Sequence, residues 1–249
     1  MGVVRAYWLD RVSYRGCWNL QRAMVEAVRR GELADSLLLL EHPSVFTMGR
    51  RGMADHLRWS EAECAHRGVD VVWTDRGGDA TYHGPGQLVA YGILDLPHLG
   101  TDILSYLRGL EQSLVAYLST LGIEAAPGGK GLTGVWSRAP GATAPLEKVA
   151  AIGVKLNQTV TSHGLALNLT TDLGIFNQGI VPCGLAGRTA TSVEALGGPR
   201  VSVAEAAHGY APFFATTFGV ELAWADRLEL DRLPPPPSEP ALGPPLQVV

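Results

Sequence analysis

The sequence predicts an α+β fold in which helices flank a mixed sheet. Short apolar segments with strand character are interleaved with amphipathic helical segments. They lack the regular strand–helix alternation that a doubly wound parallel sheet requires. Hydrophobic residues make up 46% and charged residues 18% of the 249 residues, a composition that can bury a sizeable core without disulfides or metal.

The first half of the chain contains two predicted helices. One spans residues 18–30, with apolar residues on one face, and a short one spans 60–67. Short runs rich in β-branched and apolar residues predict strands at 36–40, 45–48, 69–74 and 88–96.

In the second half, the clearest helix spans 102–121, and Gly122 suits its C-terminal cap. The residues that share one face of this helix recur at helical spacing: Leu104, Leu107, Glu111, Leu114, Leu118 and Leu121. Two strands are predicted, 148–156 and 160–169. The Gly-, Pro- and Ala-rich stretch 126–147 is interpreted as a long loop around Val135 and Trp136.

A last helix is predicted to begin at Ser202, where Glu205 completes a capping box. Gly209 and Pro212 should break or kink this helix. Residues 1–233 are expected to form one domain. Residues 234–249 begin with four consecutive prolines and are expected to form a disordered tail.

Charge and cysteine content narrow the class of protein. Acidic residues outnumber basic ones by 24 to 20, and no Lys/Arg block occurs, so nucleic acid and anionic membranes are not expected as partners. Net charge does not exclude a local basic patch that docks an acidic protein. The cysteines Cys17, Cys64 and Cys183 are far apart, the N-terminus lacks a signal sequence, and no apolar run could cross a bilayer. We therefore expect a reducing cytoplasm.

The segment 76–87 reads RGGDATYHGPGQ. Its glycines Gly77, Gly78, Gly84 and Gly86 permit backbone conformations and close ligand approach that side chains would prevent. A hairpin loop and a ligand-binding loop both fit this composition. A phosphate-binding loop fits less well, because neither dinucleotide nor Walker spacing is present.

Two residues are candidate reacting groups. Lys148 begins the apolar strand KVAAIGVKL, where it is either a solvated strand end or a desolvated amine that tunes a thiol. Cys183 lies in IVPCGL and is either a small buried hydrophobe or a nucleophile. The flanking Pro182 and Gly184 favour the nucleophile, because they stiffen the approach and leave backbone N–H groups able to hold an oxyanion.

The other histidines and cysteines are weaker candidates for a functional role. His163, in HGLALN, is either hydrogen-bonded within the sheet or part of a site. Cys17 and Cys64 lie in helical or pre-helical contexts and are interpreted as structural. Cys64 and His66 lack further ligands at zinc spacing, so no metal site is expected.

Together these segments resemble, in order, those of bacterial lipoyl(octanoyl) transferases: EHPSVFTMGR, RGGDATYHGPGQLVAY, GVW, KVAAIGVKL, SHGLALN and PCGL. The resemblance covers most of residues 41–185. It implies a catalytic domain with the fold of biotin protein ligases and lipoate ligases, an acyl-thioester nucleophile at Cys183 and its lysine partner at Lys148. It also implies an acyl pocket lined by Arg76, Gly77, Gly78, Asp79, Ala80, Thr81, Tyr82, His83, Ala151, Ile152, Gly153, Gly164, Leu165 and Ala166.

The resemblance further implies the reaction and its partners. Octanoyl-acyl carrier protein would be the donor, and lysines in lipoyl domains of 2-oxoacid dehydrogenases and the glycine-cleavage carrier protein would be the acceptors, with no cofactor. Two departures from the family pattern are visible. The run FNQGIVPC, residues 176–183, is one residue longer before Cys183, and the loop 137–147 is long and rich in Ala and Pro.

A cysteine suits acyl transfer because it is both a nucleophile and a good leaving group. A Lys148 ammonium would favour the thiolate of Cys183, and Lys148 would accept a proton once that charge is lost on acylation. Three alternatives stay open: an ATP-dependent lipoate or biotin ligase, a cysteine hydrolase that releases octanoate, and a non-enzymatic module that binds acyl carrier or lipoyl domains.

Overall fold

The computed structural model describes residues 2–129, 131–143, 145–181, 188–238, 240 and 242. Within these ranges there are five α-helices: α1 (Tyr14–Arg29), α2 (Glu61–His66), α3 (Ile103–Thr120), α4 (Leu173–Gly179) and α5 (Val203–Phe218). The first six strands are β1 (Val3–Arg11), β2 (Ser36–Glu41), β3 (Val45–Met48), β4 (Asp70–Trp73), β5 (Ala80–His83) and β6 (Gln87–Ile93). The later strands are β7 (Ala125–Pro127), β8 (Val135–Ser137), β9 (Glu147–Asn157), β10 (Val160–Asn168) and β11 (Glu221–Trp224).

The strands form two sheets. The larger has eight strands in the order β11-β1-β2-β6-β10-β9-β8-β7, and the smaller has three in the order β4-β3-β5. In the larger sheet β1 pairs in parallel with both β11 and β2, whereas the pairs from β2 through β6, β10 and β9 to β7 are antiparallel. The sheet is therefore mixed and flanked by helices, which confirms the predicted α+β class.

Helices cover both faces of the larger sheet. Leu37 and Leu39 of β2 share a core cluster with residues of α3 and α5, while Leu38 and Leu40 share another with residues of α1. Because alternate side chains of a strand point to opposite faces, the continuous apolar run SLLLLE is buried throughout. The predicted helices and strands of this layer are confirmed to within a few residues.

Two details of the helices differ from prediction. In α3 the predicted face is buried at Glu111, Leu114 and Leu118, but its first member, Leu104, is 71% exposed. Tyr106 and Leu110 complete the buried stripe. The predicted break in α5 was also wrong: the helix continues through Pro212. Pro212 lies on the exposed side, where water can satisfy the carbonyl that its ring leaves unbonded.

Gly209 has a different role from the one expected. A Cβ at this position would lie 3.1 Å from the ring of Tyr117, so glycine lets α5 approach α3 closely. No helix among the described residues has the length and apolar character needed to cross a membrane.

Candidate active site

A cavity lies between the β9–β10 pair and the segment that leads into β5. Its walls are Arg76, Gly78, Asp79, Ala80, Thr81, His83, Tyr91, Lys148, Ala151, Ile152, Gly153, His163, Gly164, Leu165 and Ala166. The register pairs Gly153 with Gly164 and Ala151 with Ala166, so small side chains leave room along the wall. Twelve of the fourteen residues predicted for the acyl pocket line this cavity; Gly77 and Tyr82 do not.

Gly77 instead allows its turn to pack on β9. Its N–H donates to the Val154 carbonyl at 3.1 Å, and a Cβ on Gly77 would lie 2.8 Å from that oxygen. A Cβ on Gly153 would lie 2.6 Å from the carbonyl oxygen of Gly77. The two glycines therefore set the distance between the walls of the cavity.

Tyr82 points away from the cavity, into the core of the smaller sheet. Its ring packs against Phe46 and Phe176 with centroid distances of 5.6 and 5.8 Å, and its hydroxyl lies 3.0 Å from Ser44 Oγ. Tyr82, which the resemblance placed in the acyl pocket, does not line the cavity, because side chains alternate along β5 and Thr81 and His83 take the cavity side.

The buried guanidinium of Arg76 holds the turn in place. Its Nε donates to Thr47 Oγ1 at 3.0 Å, and Nη2 donates to the carbonyls of Thr47 and Asp79 at 2.5 and 2.6 Å. Arg76 Nη1 donates to its neighbour Gly77 at 3.0 Å. These contacts fix the backbone on one side of the cavity.

Lys148 is a buried amine at one end of the cavity, with 6% of the residue exposed. Nζ donates to the Thr133 carbonyl at 3.0 Å and lies 4.8 Å from the centre of the Trp136 ring. The main chain of Lys148 donates to Thr189 at 3.0 Å and accepts from Thr191 at 2.9 Å. On its other edge Lys148 pairs with Trp136 of β8, so both sides of the strand are paired. The solvated strand end considered from sequence is therefore not what the structure contains.

Cys183 lies outside the described residues, as do its neighbours 182–187. Before them, Val181 N–H donates to the His56 carbonyl at 2.8 Å; after them, Thr189 bonds to the main chain of Lys148. The other two cysteines are buried. Burial raises the pKa of Cys17 to about 12 and also raises the pKa of Cys64, so both thiols stay protonated and unreactive near neutral pH.

Asp75 was not predicted from sequence, yet it bonds to His163, which lines the cavity. Its carboxylate accepts from Trp18 Nε1 at 3.2 Å, His163 Nε2 at 2.8 Å and Lys155 Nζ at 2.7 Å. Burial alone would raise the pKa of Asp75, but His163 and Lys155 hold that pKa well below its usual range. No short motif links these four residues, because they come from separate elements.

His163 is a neutral imidazole in this setting. Burial lowers its pKa, and because the Asp75 carboxylate can only accept, Nε2 carries the hydrogen. Its φ of 58° is unusual for a residue within a strand, and its main-chain N–H donates to Gln21 Oε1 at 2.7 Å. Of the two readings left open from sequence, His163 is hydrogen-bonded within the fold and also lines the cavity.

His83 is held by a chain of amides. Gln87 Nε2 donates to the carbonyl of Tyr82 and to Asn168 Oδ1, at 3.0 and 2.8 Å, so Gln87 Oε1 faces His83 Nδ1 at 2.8 Å. Burial and the neighbouring His42 lower the pKa of His83 well below its ordinary value. His83 is therefore neutral and orients a cavity wall without carrying charge.

The described residues contain no group of three or more His, Cys, Asp or Glu side chains placed to hold a metal ion. The polar groups of the cavity include the Lys148 amine, the two imidazoles and the charged side chains of Arg76 and Asp79, in walls that also contain small and apolar residues. Arg76 donates to backbone carbonyls, and the Asp79 carboxylate bonds to His56 and to the Ala80 N–H. Such a site suits an uncharged, extended apolar chain with its reacting group near Lys148.

Comparisons with known proteins agree with this geometry. The family model of the lipoyl protein ligase A/B catalytic domain matches residues 13–214. An octanoyltransferase of Chloroflexus aurantiacus is 43% identical over 222 residues, covering 89% of this chain and 96% of the relative. One of Koribacter versatilis is 41% identical over 238 residues, covering 95% and 92%.

Two solved structures share the fold at low sequence identity. The bipartite lipoate protein ligase of Thermoplasma acidophilum, described with its E2 lipoyl domain, superposes with a TM-score of 0.69 at 19% identity, covering 93% of each chain. A lipoate-protein ligase A bound with ATP gives a TM-score of 0.67 at 18% identity, covering 92% of this chain and 94% of the other. The resemblance to lipoate ligases in fold is thereby confirmed, and the chain belongs to the lipoyl protein ligase A/B catalytic domain family.

Proposed function

We propose that this chain is an acyltransferase that moves an octanoyl group from octanoyl-acyl carrier protein to the ε-amine of a lysine in a lipoyl domain, through a thioester at Cys183. The observation that carries the proposal is the buried amine of Lys148 at the end of a narrow, largely apolar cavity. Relatives more than 40% identical over most of the chain are octanoyltransferases, which supports this chemistry over ATP-dependent ligation.

The first half-reaction loads the enzyme. The Cys183 thiolate, favoured by the Lys148 ammonium, attacks the carbonyl carbon of the octanoyl thioester. The carbon–sulfur bond to the carrier breaks, and Lys148 gives its proton to the departing thiolate of the carrier. The products are octanoyl-Cys183, a free carrier thiol and a neutral Lys148 amine.

The second half-reaction discharges it. The neutral amine of the acceptor lysine attacks the Cys183 thioester, the amide bond forms, and the cysteine sulfur leaves as a thiolate. Lys148 takes the proton that the attacking nitrogen loses, which restores the starting ion pair. Arginine could not alternate in this way, because it does not give up its proton.

The acyl chain would occupy the cavity away from Lys148, along Ala151, Gly153 and Gly164 towards His163. The paired strands β9 and β10 supply this wall, and the turn fixed by Arg76 supplies the other. Arg76 and His83 act in the proposal by positioning the walls, since their hydrogen bonds run to the protein's own backbone and amides.

The partners follow from the same reaction. Acyl carrier protein delivers the thioester, and lipoyl domains of 2-oxoacid dehydrogenases and the glycine-cleavage carrier protein receive the acyl group. A thiolate nucleophile works best in a reducing compartment, so we place the reaction in the cytoplasm.

Intact-protein mass spectrometry tests the proposal. Mixed with octanoyl-acyl carrier protein and no ATP, the wild-type protein should gain one octanoyl group, and Cys183→Ser should gain none. Cys17→Ser is the matched control and should acylate like the wild type, because burial keeps that thiol protonated. An adduct that persists in Cys183→Ser, or no adduct on the wild type, would contradict the thioester route.

A further inference from the structure

The Thr133–Gly134 peptide group connects Lys148 to a buried carboxylate. Its carbonyl end accepts from Lys148 Nζ at 3.0 Å. Its amide end, the N–H of Gly134, donates to Glu111 Oε1 at 3.0 Å. One peptide plane therefore has an ammonium at its oxygen and a carboxylate at its hydrogen.

Glu111 is completely buried, although it lies on helix α3 and outside the cavity. Its second oxygen, Oε2, pairs with Arg108 Nη1 at 2.5 Å. A carboxylate is rarely buried unless it is paired and hydrogen-bonded. Here each of its oxygens has a partner, and one of them is the peptide that holds Lys148.

The Thr133–Gly134 peptide group is also held in place through the backbone of Gly134. Gly134 has a φ of 114°, and a Cβ there would lie 2.6 Å from the Ala150 carbonyl oxygen. The carbonyl of Gly134 accepts from Gly128 N–H at 3.1 Å. The loop between β7 and β8 thus passes too close to β9 for a side chain at Gly134, and both the N–H and the carbonyl of Gly134 are hydrogen-bonded.

We propose that Glu111 is a positioning residue for the transfer reaction: its carboxylate orients the Thr133–Gly134 peptide so that the carbonyl holds the ammonium of Lys148. The inference rests on the proposed function for its catalytic consequence. The negative carboxylate at the N–H polarises the peptide towards its oxygen, which strengthens the bond that Lys148 donates. Arg108 keeps the carboxylate turned towards the loop.

The test compares Glu111→Gln with Ser113→Ala. Glutamine keeps the shape of the side chain but removes its charge and cannot serve both Arg108 and Gly134 N–H as an acceptor. Ser113 is the matched control because it is buried on the same helix, where its hydroxyl lies 2.8 Å from Tyr210 Oη, on the side facing α5.

The first measurement is competitive trace acetylation of the folded protein, read by peptide mass spectrometry. The chain has three lysines, and Lys155, which pairs with Asp75, is the internal reference for Lys148. Glu111→Gln should raise the labelling ratio of Lys148 to Lys155 by about tenfold, the size of one lost charge-assisted hydrogen bond. Ser113→Ala should leave that ratio unchanged.

The second measurement is the single-turnover rate at which a lipoyl domain discharges octanoyl-enzyme. Glu111→Gln should lower the maximal rate and leave the KM for the lipoyl domain unchanged, because Glu111 is completely buried and cannot contact a protein partner. If Glu111→Gln does not fold, Arg108→Ala replaces it, since the Arg108 side chain is more than half exposed; it should raise the labelling ratio in the same direction.

An unchanged labelling ratio in a folded Glu111 or Arg108 variant would overturn the inference. This result is independent of the proposed reaction, since acetylation needs no acyl carrier protein. Failure of the proposed function would instead be a wild-type protein that forms no octanoyl adduct.

Discussion

Acidification should destabilise this protein through its buried histidines, and His42 allows the size of the effect to be worked out. Its Nδ1 lies 2.7 Å from the Val12 carbonyl and its Nε2 lies 3.0 Å from Tyr91 Oη. A carbonyl only accepts, so Nδ1 carries the hydrogen and Nε2 accepts from the tyrosine. The ring is neutral, and burial lowers its pKa from 6.5 to about 4.

Whether stability rises or falls with pH depends on which state, folded or unfolded, binds the proton more readily. Below pH 6.5 the unfolded chain takes up a proton at His42 that the folded protein resists, so stability falls as pH falls. The contribution is fully present above that pH and is lost progressively until about pH 4, where the folded state also titrates. Between about pH 7.5 and pH 5 the loss from His42 is about 2 kcal/mol.

Urea unfolding at these two pH values measures the loss in the wild type and in His42→Gln. The glutamine amide can donate to Val12 and accept from Tyr91, but it does not titrate. The wild type should lose about 2 kcal/mol more than the variant on acidification. The pKa of His163 is shifted in the same direction for reasons that do not involve His42, so its contribution cancels. His42 helps to lower the pKa of His83, so the difference between the two proteins reports His42 together with its effect on His83. Equal losses in the two proteins would show that His42 does not titrate differently in the folded and unfolded states.

Three further predictions concern the cavity. Lys148→Arg should still form some octanoyl-enzyme but discharge it very poorly, and equal rates in both half-reactions by single-turnover mass spectrometry would exclude a proton-accepting role. Gly164→Ala places a Cβ against the Ala90 carbonyl oxygen, so it should lower the unfolding free energy by about 3 kcal/mol, measured in urea. An unchanged unfolding free energy would show that β10 can shift to make room for the methyl group. Asp75→Asn removes the carboxylate charge that pairs with Lys155 and leaves one acceptor oxygen for Trp18, His163 and Lys155, so the unfolding free energy should fall by about 3 kcal/mol at neutral pH. Because the pKa of Asp75 is held well below its usual range, the wild type should lose this advantage only below about pH 4, and a constant difference between the two proteins down to pH 2 would contradict it.

The elements that sequence predicts well are those whose pattern is local. The run SLLLLE is a strand because it is apolar on both faces, and helix α5 begins at Ser202 because Ser202 and Glu205 cap each other's backbone. Of the acyl-pocket residues that the resemblance implies, residues 151–153 lie opposite residues 164–166 because of the register of β9 with β10. The cavity also brings Gly78 to these strands, although the two parts are far apart in the sequence.

The remaining elements depend on distant partners. Strand β1 pairs with β11, which is more than 200 residues away in the sequence. Strands β7 and β8 have only three residues each, too few for a sequence pattern, and are defined by their pairing with each other and with β9. Strand β5 lies inside the glycine-rich segment, where turn composition hides it. In each case pairing, not local propensity, makes the strand.

Two charged residues show what sequence patterns miss at the site. Glu111 fits the helical spacing of α3 and gives no sign that its carboxylate reaches the loop before β8. Asp75 directly precedes the glycine-rich segment, yet its partners Trp18, His163 and Lys155 come from three other elements. Buried polar networks of this kind are specified by tertiary packing, which no spacing rule encodes.

The thioester route is tested most directly by identifying the source of the acyl group that reaches a lipoyl domain. The protein, a lipoyl domain and octanoyl-acyl carrier protein are incubated without ATP, in parallel with free octanoate plus ATP, and the mass of the lipoyl domain is followed. The thioester route predicts one octanoyl group on the lipoyl-domain lysine in the first mixture, and none in the second. Modification only in the mixture with ATP and free octanoate would contradict it and identify the chain as a ligase.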